Sequence, residues 1–551
     1  MKVRYSVYWI GLFLASGLGA QNHGESAYRV PDGLVRGAAF KDLFLPQPLR
    51  EPLRSNLWGT PEVLPRDAAN GIEDAKWSYW GGNVIPGSDG REHLFVCRWL
   101  ESSAKGHFEY HDSEVVHAVA DDPLGPFVVQ SVIGQGHNPE AYRTKDGTWA
   151  LFVNEAVFLA DRLEGPWRES RLGYEFRDTP NTRLVNHTFA PREDGSVLLI
   201  SRQGQVWVSE DGLRPFHKLT TQHIYPPVDG KYEDPVVWRD EVQYHLIVND
   251  WYGRIAYYLR SPDGVHWHWD DGAAYDPEVI RREDGTVEGW YKLERPKVRQ
   301  DKFGRATHMY FAVIDYPKHD DLGNDSHSSK NVAVPVTIGR RLEILTPNVT
   351  AHPTGEIKVR VKAESSFSPH RDLDLASLRF GDTRTVNLGG GAEVTGAVLD
   401  GVDLILTFTG EHGLKPRNFA AKLIGADQHD ALVFGYARIP EFPHVRPLLF
   451  GRPPRLMARG AEAVEISLPI DNFGQLASAP TLIDVELKIG DHYRKSHQAI
   501  SPGVPAYLTK RLVTTFQVPP DDRKGPVSVS IVIDPHGPYP ESQTFSGGRI
   551  R

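Results

Sequence analysis

One polar-to-apolar phrase recurs along the first part of the chain. In residues 136–167 it opens on the polar His137-Asn138-Pro139, turns at Asp146-Gly147, runs apolar to Asn154-Glu155, and closes on Gly165-Pro166-Trp167. Asp-Gly between two alternating apolar runs is a hairpin signal, so each phrase reads as a set of short antiparallel strands. An earlier copy carries Asn83, the turn Asp89-Gly90 and the close Gly125-Pro126-Phe127. A later one carries Asn186-His187, Asp194-Gly195 and Arg214-Pro215-Phe216. A fourth opens on Glu233-Asp234-Pro235 and closes at Trp267, and a fifth opens on Glu294-Arg295-Pro296 and ends in a longer insert.

Openings about fifty residues apart leave room for four short strands per unit, the spacing of a β-propeller blade. The repeats therefore predict an all-β protein with a five-bladed propeller over 21–345, the strand-like residues 328–345 completing the last blade. Beyond Thr346 the rhythm changes to short alternating strands, as in "GEIKVRVKA" and "DLILTFTG". This predicts a β-sandwich over 346–440, and after the Pro-rich "PEFPHVRPLLFGRPP" an Ig-like, adhesion-related accessory sandwich over 441–551.

Composition narrows the function. With 62 basic against 71 acidic residues and no long basic run, the chain offers no phosphate-tracking surface, so nucleic acid is not an expected partner. Lys2 and Arg4, a short apolar run from Val7 to Ala15, and small residues to Ala20 have the form of a secretory signal over 1–20. No later segment is apolar for the ~18 residues a membrane span requires. A secreted or periplasmic protein is expected. The single cysteine, Cys97, lies in the strand-like "HLFVCRWL" and reads as a small buried hydrophobe.

In a propeller the first strand of each blade lines the central channel, and antiparallel neighbours bring its start beside the end of the second strand. The first-strand starts contribute Asn83, His137, Asn138, Asn186, His187, Glu233, Asp234, Glu294 and Arg295. Second-strand ends contribute Arg98, Trp99, Asn154, Glu155, Arg202, Asn249, Asp250, Trp251, Asp315 and Tyr316. Carboxylates for acid and base work, forked donors for hydroxyls or anions, and indole faces for sugar rings make this a carbohydrate site in kind.

The phrases "YEDPVVWRDEVQYHLIVND", "LERPKV", "DGVHW" and "GPW" resemble the five-bladed propeller glycosidases of the arabinanase, invertase and levansucrase superfamily, including enzymes that trim algal galactans, over about residues 60–345. The resemblance implies a glycoside hydrolase with paired carboxylates. The chain departs from the pattern at the first two openings, where aspartates give way to Asn83 and Asn138. The chemistry is then expected to fall on Asp234 as base or nucleophile and Glu294 as acid, its pKa raised by nearby carboxylates, with Asp250 and Glu155 as substitutes. His137, Asn138, His187, Glu233, Asn83 and Trp251 would hold a plant or algal polysaccharide or oligosaccharide, and Arg202 and Arg295 an anionic group on it.

Two other functions use the same residues. A polysaccharide lyase would abstract a proton beside a uronate with His187 or His137 and a tyrosine such as Tyr316, near Asn138 and Arg202. A non-catalytic glycan-binding propeller would keep the pocket without turnover. No cofactor is expected and no catalytic metal. The mixed spacing of His107, His111 and His117 is no zinc signature, and the acids of the channel would suit at most a structural Ca2+.

Overall fold

The structure is a computed structural model, and it describes residues 28–50, 68–154, 156–175, 184–220, 222–325, 328–500, 502–537 and 539–551. The expected signal segment and Glu155 lie outside the described residues. The chain is all-β, and among the described residues no helix is long and apolar enough to cross a membrane.

Five antiparallel sheets follow one another in chain order. Their first strands are Trp77–Pro86, Glu140–Arg143, Thr188–Pro191, Tyr232–Arg239 and Lys292–Gln300. These five strands touch in the order one, two, three, four, five and back to one, so they form a ring. The first, second and fourth sheets have four strands. The third gains Tyr174–Glu175, paired parallel on its outer edge, and the fifth has three strands. The phrases that close the first three repeats share a backbone form, with cis peptides at Gly125-Pro126, Gly165-Pro166 and Arg214-Pro215.

Each sheet buries alternate residues against the next, as strands flanked on both faces must. Ala141, Leu151 and Val153 of the second sheet pack against Phe95 and Cys97 of the first, and Leu198 and Ile200 of the third against Leu246 and Val248 of the fourth. The ring is fastened by the chain that precedes the first sheet. Ile72 bridges Asn331 of the fifth sheet, and the Asn70 side chain bonds both backbone groups of Ala333, at 2.9 and 3.0 Å.

The strand expected to finish the fifth sheet divides. Ser329–Pro335 joins it, but Arg340–Ile344 leaves to pair in parallel with Leu432–Arg438. That pairing closes seven strands over residues 340–438 into a barrel around Ile357, Val359, Leu406, Phe408 and Leu423, where alternation alone predicted an open sandwich. Closure satisfies both edges of the sheet. The last residues form two four-stranded sheets, one centred on Ala463–Asn472 and the other on Thr481–Ile489, enclosing Ile466, Leu468, Val485, Leu487 and Ile531. The alternation of these strands places every second residue in that core.

Candidate active site

The polar openings of the repeats share one backbone conformation. Gly81, Asn138, Asn186, Asp234 and Arg295 each lie within or just before their sheet's inner strand, with φ of 65°, 54°, 52°, 56° and 53°. Such left-handed residues bulge a strand, and the pairing of the first, fourth and fifth sheets slips at this place: between Trp80 and Asn83, Glu233 and Val236, and Glu294 and Lys297. The bulge turns four side chains toward one another, with Gly81 in the fifth place. Asn138 Nδ2 donates to Asn186 Oδ1 at 2.7 Å, Asn186 Nδ2 donates to Asp234 Oδ1 at 3.2 Å, and Asp234 is paired with the Arg295 guanidinium. A Cβ on Gly81 would sit 3.5 Å from Asn138 Oδ1 and 3.8 Å from Arg295 Cβ, so glycine completes the circle.

Two residues further along each strand lies a second set of ties. Asn83 bonds both backbone groups of Ala141, at 3.0 and 3.2 Å, and Glu140 accepts from Thr188 Oγ1 at 2.8 Å and from the Phe189 N–H at 3.1 Å. Thr188 Oγ1 in turn accepts from the Val237 N–H at 3.0 Å, and Lys297 pairs with Glu140. These buried groups are all satisfied across sheet boundaries and hold the ring at its waist.

Above the ring open two adjoining cavities of about 420 and 410 Å³ that share Tyr110, His137, Arg202, Glu233 and Arg295. The first also has Trp80, His107, Trp251, Tyr291, Lys292, Glu294 and Lys318 on its wall, and the second Asn138, Asn154 and Asn186. A further cavity of about 450 Å³, lined by Phe40, Trp238, Arg305, Arg340 and Phe434 among others, lies between the fourth and fifth sheets and the barrel. It receives none of the openings, which all meet at the former pair.

The carboxylates of this funnel are differently held. Glu233 accepts from Asn186 Nδ2 at 3.0 Å and pairs with Arg202 at 3.1 Å and Arg295 at 3.5 Å. Glu294 is paired with Lys318 and lies 4.0 Å from Lys292 Nζ. Burial by itself would raise the Glu294 pKa, but the charges of Lys318 and Lys292 outweigh it and hold the carboxyl below its ordinary value. The reverse occurs at Asp234, where burial dominates: Arg295 opposes it, Glu233 and Glu294 add to it, and the pKa rises to about 7. The pKa of Glu294, expected from sequence to be raised, is thus lowered, because Lys318 and Lys292 face it.

Burial is likewise the main cause at the other titrating walls. It lowers Lys292 to about 8. It keeps His137 and His107 well below the ordinary histidine value, with Arg295 and Lys318 adding to the effect at both. His137 stacks on Tyr110 with ring centres 4.6 Å apart. Cys97, 3.4 Å from His137 Nδ1, donates its S–H to Trp80 O at 2.8 Å, and burial raises the thiol to about 11, so it is no nucleophile.

Of the residues singled out from sequence, Glu233, Glu294, His137, Asn138, Arg202, Arg295 and Trp251 meet on the funnel wall. Asp234 lies just beneath it, only 3% exposed. Three others are placed elsewhere. Asp250 is buried and its Oδ1 accepts the backbone N–H groups of Lys231 and Gly253, at 3.0 and 3.1 Å, which shapes the turn after its strand. Asn83 is spent on Ala141. His187 is buried against Phe152, with ring centres 4.7 Å apart, and neither ring nitrogen has a hydrogen-bond partner among the described residues.

Lys318, Lys292, His107, Tyr110 and Tyr291 are funnel residues that the repeat did not point to. Lys318 sits in the long insert of the fifth repeat, 4.4 Å above the Trp80 ring, and a lone lysine in a polar loop gives no sequence signal. Lys292 begins the fifth inner strand two positions before Glu294, and its Nζ donates to Trp251 O at 2.6 Å. Alternation along that strand could have placed Lys292 and Glu294 on one face.

No protein-family model matches the chain, and no curated protein matches its sequence. Among solved structures, it is similar to an α-L-arabinofuranosidase from Lactobacillus brevis at 12% identity, with 47% of this chain and 91% of that one covered and a TM-score of 0.31. It is also similar to a mutant of the GH43 protein BlXynB from Bacillus licheniformis at 9% identity, with 86% and 89% covered and a TM-score of 0.32. A structure titled glycoside hydrolase matches at 11% identity, with 82% and 94% covered and a TM-score of 0.35. Likenesses this distant carry no argument about activity.

Proposed function

We propose that the five-sheet ring is a five-bladed β-propeller, and that the funnel of this exported protein hydrolyses a glycosidic bond in an anionic plant or algal polysaccharide or oligosaccharide. The observation that carries this reading is the pair Glu294 and Glu233 on one cavity wall, with Trp80 and Trp251 beside them. Glycoside hydrolysis needs one ionised carboxylate and one group able to deliver a proton. Glu294, held ionised by Lys318 and Lys292, is the base or nucleophile. Glu233 faces the leaving oxygen, backed by Asp234, which holds a proton up to about pH 7 and shares Asn186 and Arg295 with it.

The sign of the wall selects the substrate class. Arg202, Arg295, Lys292 and Lys318 stand against the two lining glutamates, an excess of positive charge that favours a uronate or sulfated sugar. Arg202 offers its guanidinium edge to such a group, and the indoles offer faces to the rings. The barrel and the last sandwich present no comparable constellation among the described residues, which suits accessory roles.

One observation favours a lyase as the second reading: His137 is kept neutral on the funnel wall beside Arg202 and Arg295, as a base for proton abstraction next to a carboxylate would be. Incubation with a panel of neutral, uronate-bearing and sulfated oligosaccharides separates these readings. Hydrolysis adds one water to the summed product mass and leaves the near-ultraviolet spectrum unchanged. Elimination adds none and creates an absorbing double bond. Binding without either product identifies a lectin.

A further inference from the structure

Outside the funnel, Glu101, Asp321 and Asp325 bring three carboxylates together, with one oxygen of each within 4.8 Å of the others. Glu101 follows the second strand of the first sheet, and both aspartates lie in the insert between the last two strands of the fifth. The charges acting on Glu101 are the carboxylates Asp325 and Asp315, and those acting on Asp321 are Glu101, Asp325 and Asp315. Asp321 is only 3% exposed and its Oδ1 has no hydrogen-bond partner among the described residues. A buried acceptor left bare beside two like charges is unfavourable, and a proton or a cation on the cluster relieves it.

We propose that Glu101, Asp321 and Asp325 are ligands of a structural calcium ion that ties the fifth-sheet insert to the first sheet. Ca2+ binds hard oxygens at ~2.3–2.6 Å, so two ligands on opposite sides of the ion stand roughly 5 Å apart, and three carboxylates with an oxygen of each within 4.8 Å of the others lie inside that sphere. Two neutral oxygens are at hand to fill further positions: Ser78 Oγ and Ser328 Oγ both lie on Glu101 Oε2, at 2.5 and 2.6 Å. The surrounding backbone is already drawn together, with the Asn324 N–H donating to Glu101 O at 3.1 Å and the Leu322 N–H to Asp325 Oδ2 at 2.7 Å. The tethered insert also carries Lys318, which faces Glu294, so the ion would steady one wall of the funnel. The site itself stands whatever the funnel's substrate is.

The test uses the full chain after exhaustive chelation, with calcium added back and followed by calorimetric titration and thermal unfolding. Saturable calcium binding is expected, with a rise in melting temperature of roughly 3 °C at a large excess over Kd. Magnesium at the same concentration gives a smaller rise, since it demands tighter octahedral geometry. Asp321→Asn abolishes the calcium-dependent rise, and the exposed Asp325→Asn, which leaves the core untouched, weakens calcium binding at least ~10-fold. Absence of calcium binding by the parent chain overturns the site. Equal calcium affinity in parent and Asp325→Asn overturns it too, as does a magnesium response that matches calcium.

Discussion

Arg295 and Asp234 lie 61 residues apart in the chain, yet the arginine pairs its guanidinium with the aspartate and also donates its backbone N–H to the same carboxylate at 3.3 Å. Both residues adopt the left-handed conformation within the first four residues of an inner strand. The bond therefore ties the fourth repeat to the fifth, and it sets the electrostatics of the funnel floor.

Burial outweighs Arg295 at Asp234, and a stability profile follows. The folded protein holds the Asp234 proton up to about pH 7, against an ordinary value of 3.8. The contribution of the protonated form is whole below the ordinary value and is lost as pH rises through about 7. Asp234→Asn fixes a neutral group there, so thermal unfolding at pH 5 and pH 8 shows the variant gaining on the parent as pH rises. A gap that is the same at both values contradicts this assignment.

Lys318 acts on Glu294 in the opposite sense. Replacing it with methionine leaves the glutamate buried without its nearest cation and raises the pH needed to ionise it. The acidic limb of the kcat/KM profile then moves to higher pH, while the alkaline limb stays. An unmoved acidic limb removes Lys318 from the account.

Arg202 separates substrate classes. Its contact with Glu233 at 3.1 Å leaves it on the wall shared by both cavities. Arg202→Gln is expected to raise KM for uronate-bearing or sulfated substrates by roughly 10- to 100-fold, the ~1.4–3 kcal/mol of one lost charged hydrogen bond. KM for a neutral analogue changes little. Equal loss on both assigns Arg202 to holding Glu233 alone.

Two adjacent glycines test the bulge. A Cβ on Gly82 would come within 2.2 Å of Phe95 O, whereas one on Gly81 meets only ordinary contacts at 3.5 Å and beyond. Gly81→Ala pays for its left-handed φ alone, about 1–2 kcal/mol. Gly82→Ala must also move a backbone carbonyl and costs more than ~4 kcal/mol. Denaturant unfolding of the two variants reads the difference directly.

His187 is a control inside the same repeat. It lines neither cavity, and both its ring nitrogens are buried without partners among the described residues. His187→Phe keeps the stacking on Phe152 and removes two unsatisfied polar atoms, so activity persists and stability is unchanged or higher.

How far the sequence could be read depended on whether a residue's role was local. The repeat of polar openings, Asp-Gly turns and closing aromatics was visible because each unit must solve the same packing problem, and it located Asn138, Asp234, Glu294 and Arg295. It could not separate the residue that faces the funnel from its neighbour beneath: Glu233 and Asp234 are adjacent, and only the left-handed turn decides between them. Asp250 looked catalytic because an acid at a strand end and an acid that caps a turn are written alike. Barrel closure rests on the parallel pairing of Arg340–Ile344 with Leu432–Arg438, across about ninety residues, and alternation within a strand does not report its neighbours. The polarity of the acids was hidden for the same reason, since Lys318 reaches Glu294 from a loop.

The most direct test of the central claim is product analysis in oxygen-labelled water, with the parent chain and Glu294→Gln on a uronate-bearing or sulfated oligosaccharide. The account predicts one labelled oxygen in the product and a rate loss of roughly 10²- to 10⁴-fold in the variant, whose amide cannot serve as base or nucleophile. An unsaturated, unlabelled product, or full turnover by Glu294→Gln, would contradict it.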